Sequence, residues 1–356
     1  MIIFLGALAI FMAGSTKDVV TGVNSLHMGY DDAWKTDLSL PVPIILGNRP
    51  DLSRGALNSQ SDMHGERFGI FAMDRDSASV QLLMSNEVAH YVYNEGGMGH
   101  FRFGGWNTEE VVKYYPRNSN KNYSFYAYYK RGEETVEIND TKVLMNVKLF
   151  RPNDVLWGKA EAPEGEMGFN EAYFRKNPDA SVSFDFSHPA SQLSFSVSPS
   201  ENLALPEKSI FRIEQMWFYD VPADVKLCVA DCNKESSVVG KFTEVSAVRD
   251  SVFLECAEGG SPNLATDLRY NSLPDTHVHI GQDIFIAPQT ETVKCVLVVT
   301  NVGNGVYRIP FDLHPSIVNP EMVGYEAGKR YAYNIVIGRK GPRPVIEKIV
   351  ASRASY

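Results

Sequence analysis

Along most of this chain, apolar and polar residues alternate with a period of two. In "FDFSHPASQLSFSVS" (184–198), Phe184 and Phe186 alternate with polar residues, and Leu193, Phe195 and Val197 alternate with Ser194, Ser196 and Ser198. That period puts one set of side chains on a buried face and the other in water. Pro189 lacks a backbone N–H and marks the break between the two runs. The same signal recurs at 41–47, 67–73, 123–129, 142–150, 181–187, 192–198, 209–219, 224–230, 250–256, 278–288, 292–300, 306–313 and 329–338. These stretches are rich in β-branched and aromatic residues, with Gly, Pro, Asn, Asp and Ser clustered between them. Helical periodicity is scarce, and "NTEEVVKYY" (107–115) predicts at most a short turn of helix.

Short strands at intervals of about 8–12 residues predict an all-β fold of Greek-key β-sandwiches. The chain's 356 residues suit roughly two domains of 100–200 residues each. The expected layout is a leader over 1–15, a first sandwich over 16–178 with its leading strand at 41–47, and a second over 179–356. The irregular segment from Asp154 to Pro178 is the expected boundary.

Hydrophobic content of 44% and charged content of 22% are those of a soluble globular protein. A net charge of −9 argues against a nucleic-acid partner, which requires a basic stripe. "EAPEGEMGFNE" (161–171) is a run of carboxylates without a base, read as a solvated loop. The C-terminal stretch is basic, with Arg339, Lys340, Arg343, Lys348 and Arg353 against Glu347; such residues guard strand edges. The opening "MIIFLGALAIFMAGST" has the length of a signal-peptide apolar core followed by small residues, though without a basic start. It is read as an export signal. Cys228 and Cys295 lie in apolar strand-like runs, where a thiol behaves as a small hydrophobe. Cys228 and Cys232 lack the paired spacing of a zinc site.

Candidate chemistry is sparse. "HVHIGQD" places His277, His279 and Asp283 on one face of a strand, a weak metal-binding pattern; surface histidines are the plainer reading. His64 beside Glu66 and Arg67 fits a turn before a strand. No nucleophile elbow, phosphate loop or dinucleotide-binding glycine pattern occurs, and no cofactor is implied. Arg54, in "PDLSRGALNS", precedes a small residue in a turn-rich stretch where a trypsin-like protease would cut. His188 has no nucleophile or ligand partner in sequence and is read as a hydrogen-bonding residue at a strand junction.

Several stretches together resemble the fimbrillin-like proteins, the subunits of the type V pilus of certain Gram-negative anaerobes. They are an apolar strand leading to "LSRGAL", then "MHGERFGIFAM", "GGWNTEEVVKYYP", "YSFYAYY", "DVLWGKA", "SFDFSHPASQLSFSV", "IGQDIFIAPQ" and "YEAGKRYAYNIVIG", in that order from about residue 40 to 338. The resemblance implies two transthyretin-like sandwiches in an exported, non-enzymatic pilus subunit or surface adhesin. It implies cleavage by an arginine-specific protease between Arg54 and Gly55. Loss of the strand carrying Ile44, Ile45 and Leu46 would then open a groove for a strand of another subunit, a β-augmentation. The family's lipid-bearing cysteine is replaced here by Ser15, so no lipid is attached at that position.

The last segment either donates Val345, Ile346 and Ile349 to another subunit or forms an ordinary last strand. A second function, a surface glycan-binding protein, would use exposed rings of Trp106, Tyr114 and Tyr115, although paired aromatics are more often core. A third, a metal-dependent hydrolase built on His277 and His279, requires a further ligand in space. Expected partners are thus other pilus subunits, the protease, and a receptor or glycan on a host or bacterial surface.

Overall fold

The computed structural model describes residues 44, 46–48, 63–93, 99–105, 109–117, 119–129, 134–152, 154–203, 211–222, 224–255, 266–267, 278–301 and 305–355. The expected leader lies outside them. In the first half the strands are β1 (Leu46–Asn48), β2 (Arg67–Asp74), β3 (Leu82–Val92), β4 (His100–Phe103), β5 (Tyr123–Tyr129), β6 (Val136–Ile138), β7 (Lys142–Val147), β8 (Trp157–Ala160) and β9 (Val182–Ser187). The second half contributes β10 (Ser191–Pro199), β11 (Phe211–Pro222), β12 (Val225–Asp231), β13 (Phe242–Val245), β14 (Arg249–Phe253), β15 (Thr266–Asp267) and β16 (Val278–His279). It ends with β17 (Ile284–Ile286), β18 (Val293–Asn301), β19 (Gly305–Leu313), β20 (Lys329–Lys340) and β21 (Arg343–Ser355). The protein is all-β; among the described residues the helical pieces are one short α-helix, α1 (Glu171–Lys176), capped by the Asn170 side chain accepting from the Tyr173 N–H, and a single 3-10 turn, Pro315–Ile317.

Seven strands close a barrel in the order β1-β4-β3-β2-β5-β8-β9. Its interior is aromatic: Phe68, Phe101, Phe184 and Phe186 meet edge to face or tilted, with centroids 5.2–6.1 Å apart. Each such ring stabilises the barrel by roughly 1.5–3 kcal/mol through burial. The acidic run expected as a solvated loop is one over 161–167, but its end turns inward: Phe169 is buried and bridged to Tyr123, and Glu171 is buried as the first residue of α1. By contrast, 109–115 is irregular rather than helical. Its backbone is taken up by neighbours, with the Val111 N–H donating to the Phe103 carbonyl and the Lys113 carbonyl accepting from Ile44.

The barrel strands β2 and β5 are buried on both faces. Phe68, Ile70 and Ala72 point into the barrel, whereas Phe71 and Met73 point out into a second core; Phe125 and Ala127 are divided in the same way from Tyr126 and Tyr128. The cover is a four-stranded sheet, β13-β12-β7-β6. Strands buried on both faces read as continuous apolar runs, which explains "FGIFAM" and "YSFYAYY". Burial pushes the Tyr126 and Tyr128 phenols up to about 12.

Two five-stranded sheets, one built on β10, β20 and β21 and the other on β11, β18 and β19, enclose the larger core. Phe195 of the first meets Phe218 of the second at 5.6 Å. Val182–Ser187 lies beyond the boundary expected near 178 and pairs inside the barrel with β8 and β1. The hairpin β6–β7 precedes that boundary yet pairs through β7 with β12. His188 sits in the link from β9 to β10, buried, with its Nδ1 3.0 Å from Asp154 Oδ1. Cys228, Cys232 and Cys295 are free thiols, and Cys256 lies outside the described residues.

Candidate functional site: the first strand and the last

β1 is three residues long, yet it closes the barrel. It runs parallel to β9, with Leu46 opposite Val182, Gly47 opposite Ser183 and Asn48 opposite Phe184. On its other side it is antiparallel to β4, where Gly47 faces His100. Ile44 and Leu46 are two apart and both buried, Leu46 at 1% exposure. The ladder continues past the strand, because the Ile44 N–H donates to the Lys113 carbonyl at 2.7 Å.

The neighbours of β1 depend on it. Without it, β4 and β9 would each present a row of unpaired backbone groups, which is a template for another strand. Phe101, Phe103, Val182 and Phe184 are core residues of these two flanks. Burial, and then the charge of Arg102, holds the His100 imidazole below its ordinary value. Ile45, Arg54 and Gly55 lie outside the described residues; the last two fall in the chain between β1 and β2.

The terminal segment is a strand. β21 pairs antiparallel with β20 through the turn Gly341–Pro342 and forms one edge of its sheet. A bulge at Glu347 shifts the register between Ile337–Ile346 and Val336–Lys348. That extra residue is why Ile346 and Ile349, three apart, both pack on the core, as Ala351 does. Val345 is opposite Gly338 and is not among the residues packed on that core.

The remaining candidates do not converge. Tyr115, expected as an exposed ring, is a correction: it is 2% exposed and stacks on Phe174 inside the barrel core at 5.3 Å. Tyr114 is 46% exposed, and Trp106 lies outside the described residues. His279 is 54% exposed on the short strand β16, with Nε2 3.7 Å from Asp283 Oδ1. His277 lies outside the described residues. Among the described residues no three His, Cys, Asp or Glu side chains gather as a metal site.

An apolar row with two aromatic rings at one end, which the sequence pattern did not single out, crosses four strands. Phe253, Trp217, Val296 and Pro310 stand in register on β14, β11, β18 and β19. The rings of Trp217 and Phe253 are 5.6 Å apart. They come from four separate stretches of the chain, and only the register aligns them.

A closed barrel joined to a second, larger β-sheet core defines an all-β protein. The chain matches the model of the fimbrillin-like family over residues 56–352 and belongs to that family. A candidate cell adhesion protein from Bacteroides uniformis shares the fold, with 14% identity, 89% of this chain and 98% of that chain covered, and a TM-score of 0.55. A fimbrial protein from Bacteroides vulgatus matches with 12% identity over 88% of this chain and 99% of that one, at a TM-score of 0.50. No curated protein matches in sequence. Membership of the family makes this a fimbrial or adhesion subunit of the cell surface.

Proposed function

We propose that this chain is a non-enzymatic subunit of a type V pilus that assembles by exchange of its first strand. The observation that carries the reading is the position of β1, which brings Ile44 and Leu46 into the core between two strands that, among the described residues, have no other partner strand on that side. Cleavage by an arginine-specific protease between Arg54 and Gly55 cuts β1 from the rest of the chain. Departure of β1 exposes the β4 and β9 edges and the phenylalanines beside them. A strand of a second subunit then fills the groove, its backbone supplying the hydrogen bonds and its alternate side chains the apolar contacts.

Val345, Ile346 and Ile349 on β21 are the donor candidates, since β21 is an edge strand with only Pro344 of its residues fully buried. The leader over 1–15 exports the chain, and the two cores correspond to two transthyretin-like units. Limited proteolysis with an arginine-specific protease, N-terminal sequencing and size-exclusion chromatography test the reading. A new N-terminus at Gly55 with concentration-dependent oligomers supports it. A cut chain that stays monomeric, or an Arg54→Ala variant that assembles as readily, rejects it.

A further inference from the structure

A small open pocket lies at the seam where the outside of the barrel meets the sheet carrying β12. Arg75, Tyr126 and Lys159 enter it from the barrel side, and Asp231, Cys232 and Lys234 from the end of β12 and the turn after it. The seam is pinned nearby, as the Trp157 indole N–H donates to the Val229 carbonyl at 3.0 Å.

Most charges in this pocket are already met. Asp231 is buried, and its carboxylate accepts from the Asn233 N–H at 2.9 Å and from the Ser236 hydroxyl at 2.7 Å, with Lys142 at 3.9 Å. Lys234 is bonded to Asp76 at 2.9 Å. That leaves Arg75 and Lys159. Neither side chain has a hydrogen-bond or ion-pair partner among the described residues; the Lys159 ammonium lies 5.9 Å from the centre of the Tyr126 ring. Two cations without a direct partner among the described residues share one opening in a chain whose net charge is −9. After Asn122 and Lys234, Arg75 also helps hold the neighbouring Asp76 carboxyl below its ordinary value.

The opening is small, about 50 Å³, where a single water needs roughly 10–15 Å³ on the same measure. It has room for a carboxylate- or sulfate-sized group. An arginine fork grips such a group through two parallel bonds, and a lysine adds a point charge. Around the cations the lining carries the hydroxyls of Ser124 and Ser236 and the amide of Asn233, which suit the hydroxyl-bearing frame of a sugar. We propose that this pocket binds the carboxylate or sulfate of an acidic saccharide, with Arg75 and Lys159 on the oxyanion. The inference goes beyond assembly and stands whether or not the first strand is exchanged.

Cys232 supplies a local readout, because its half-buried thiol lines the pocket while Cys228 and Cys295 are buried elsewhere. The full chain is titrated with glucuronic acid, glucose 6-sulfate, glucose, sodium sulfate and a glutamate-rich peptide. Binding is followed by calorimetry, and Cys232 alkylation by peptide mass spectrometry. Glucuronic acid and glucose 6-sulfate are expected to bind and to slow alkylation of Cys232, with glucose inert.

The Arg75→Gln/Lys159→Gln variant is expected to lose affinity by about tenfold or more, the worth of one charge-assisted bond, and to lose the protection. Arg75→Lys keeps the charge but not the fork, and is expected to fall between the parent and the double variant. Lys159→Gln alone, at an exposed position, keeps the test available should the double variant misfold. Equal protection by glucose, undiminished binding by the variants, or sulfate binding as well as the sulfated sugar overturns the proposal. So does preference for the acidic peptide.

Discussion

Leu46 stands opposite Val182 in a parallel ladder, with both side chains in the barrel core. They are 136 positions apart in sequence (182 less 46), and this pairing joins the first strand of the barrel to the last. Parallel partners cannot be joined by a tight turn, so β1 is held by its ladder and its two apolar side chains. It is therefore a closing piece whose removal leaves every other barrel strand with at least one partner.

Shortening the Leu46 side chain tests that role. Leu46→Ala removes buried methyl groups and is expected to cost about 2–5 kcal/mol in the uncut protein. Thermal or urea unfolding of the precursor reads the loss. In the strand-exchange reading the same variant assembles faster after cleavage, because the outgoing strand is held less firmly.

Acidification is expected to loosen the β4 flank. The His100 imidazole is held below its ordinary value of 6.5 by burial, with Arg102 adding to it. A depressed folded pKa means that the unfolded chain takes up the proton first as pH falls. Stability linked to His100 is thus fully present above pH 6.5 and is lost as pH drops through the folded value. Urea midpoints measured between pH 7.5 and 5 should fall, and His100→Gln should flatten that part of the profile.

Gly240 is expected to tolerate no side chain. Its φ is +76°, and an added Cβ would lie 2.6 Å from the Trp157 ring. Gly240→Ala therefore combines backbone strain with a clash at the seam, and a loss of about 1–3 kcal/mol is expected. Near-ultraviolet circular dichroism of the tryptophans should change along with the melting temperature.

The bulge in β21 predicts unequal effects of neighbouring substitutions. Ile349→Ala, on the half-buried inward face, is expected to cost about 1–2 kcal/mol, below the range for a fully buried site. Val345→Ser is expected to stay within about 0.5 kcal/mol. Equal losses in urea unfolding would mean that both residues pack on the core.

Replacing His188 should be felt globally. The imidazole and Asp154 are both buried and 3.0 Å apart. His188→Ala leaves the carboxylate without that partner, and about 1–3 kcal/mol of stability should be lost. Calorimetric unfolding checks it.

Strands with a clean alternation or a continuous apolar run were legible in the sequence: Tyr123–Tyr129 is β5, and 192–198 falls within β10. β3 was not, because its alternation is broken where Ile70–Glu87 and Ala72–Met84 pair out of step and Asn86 adopts φ +53°. The run 278–288 splits into β16 and β17 around Gly281, whose φ is +65°. β4, β6, β8 and β13 span only three or four residues, too short for a period to show. In the site, Ile44 and Leu46 were legible as strand residues. Their partners were not, since nothing near residue 46 in sequence points to Val182.

Taken alone, the order of the residues determined the all-β class, the greater part of the strands, the absence of a familiar catalytic motif, and the likeness to fimbrillin-like proteins. These follow from local chemistry: side-chain period, β-branching, turn residues and the spacing of motifs. Tertiary structure alone decided that β1 and β9 close a barrel, that β7 crosses to pair with β12, and that Tyr115 is core rather than surface. It also brought Arg75 and Lys159 to one opening. Such outcomes depend on register and on pairings between segments far apart in the chain, where a single residue of slip would turn every side chain to the opposite face.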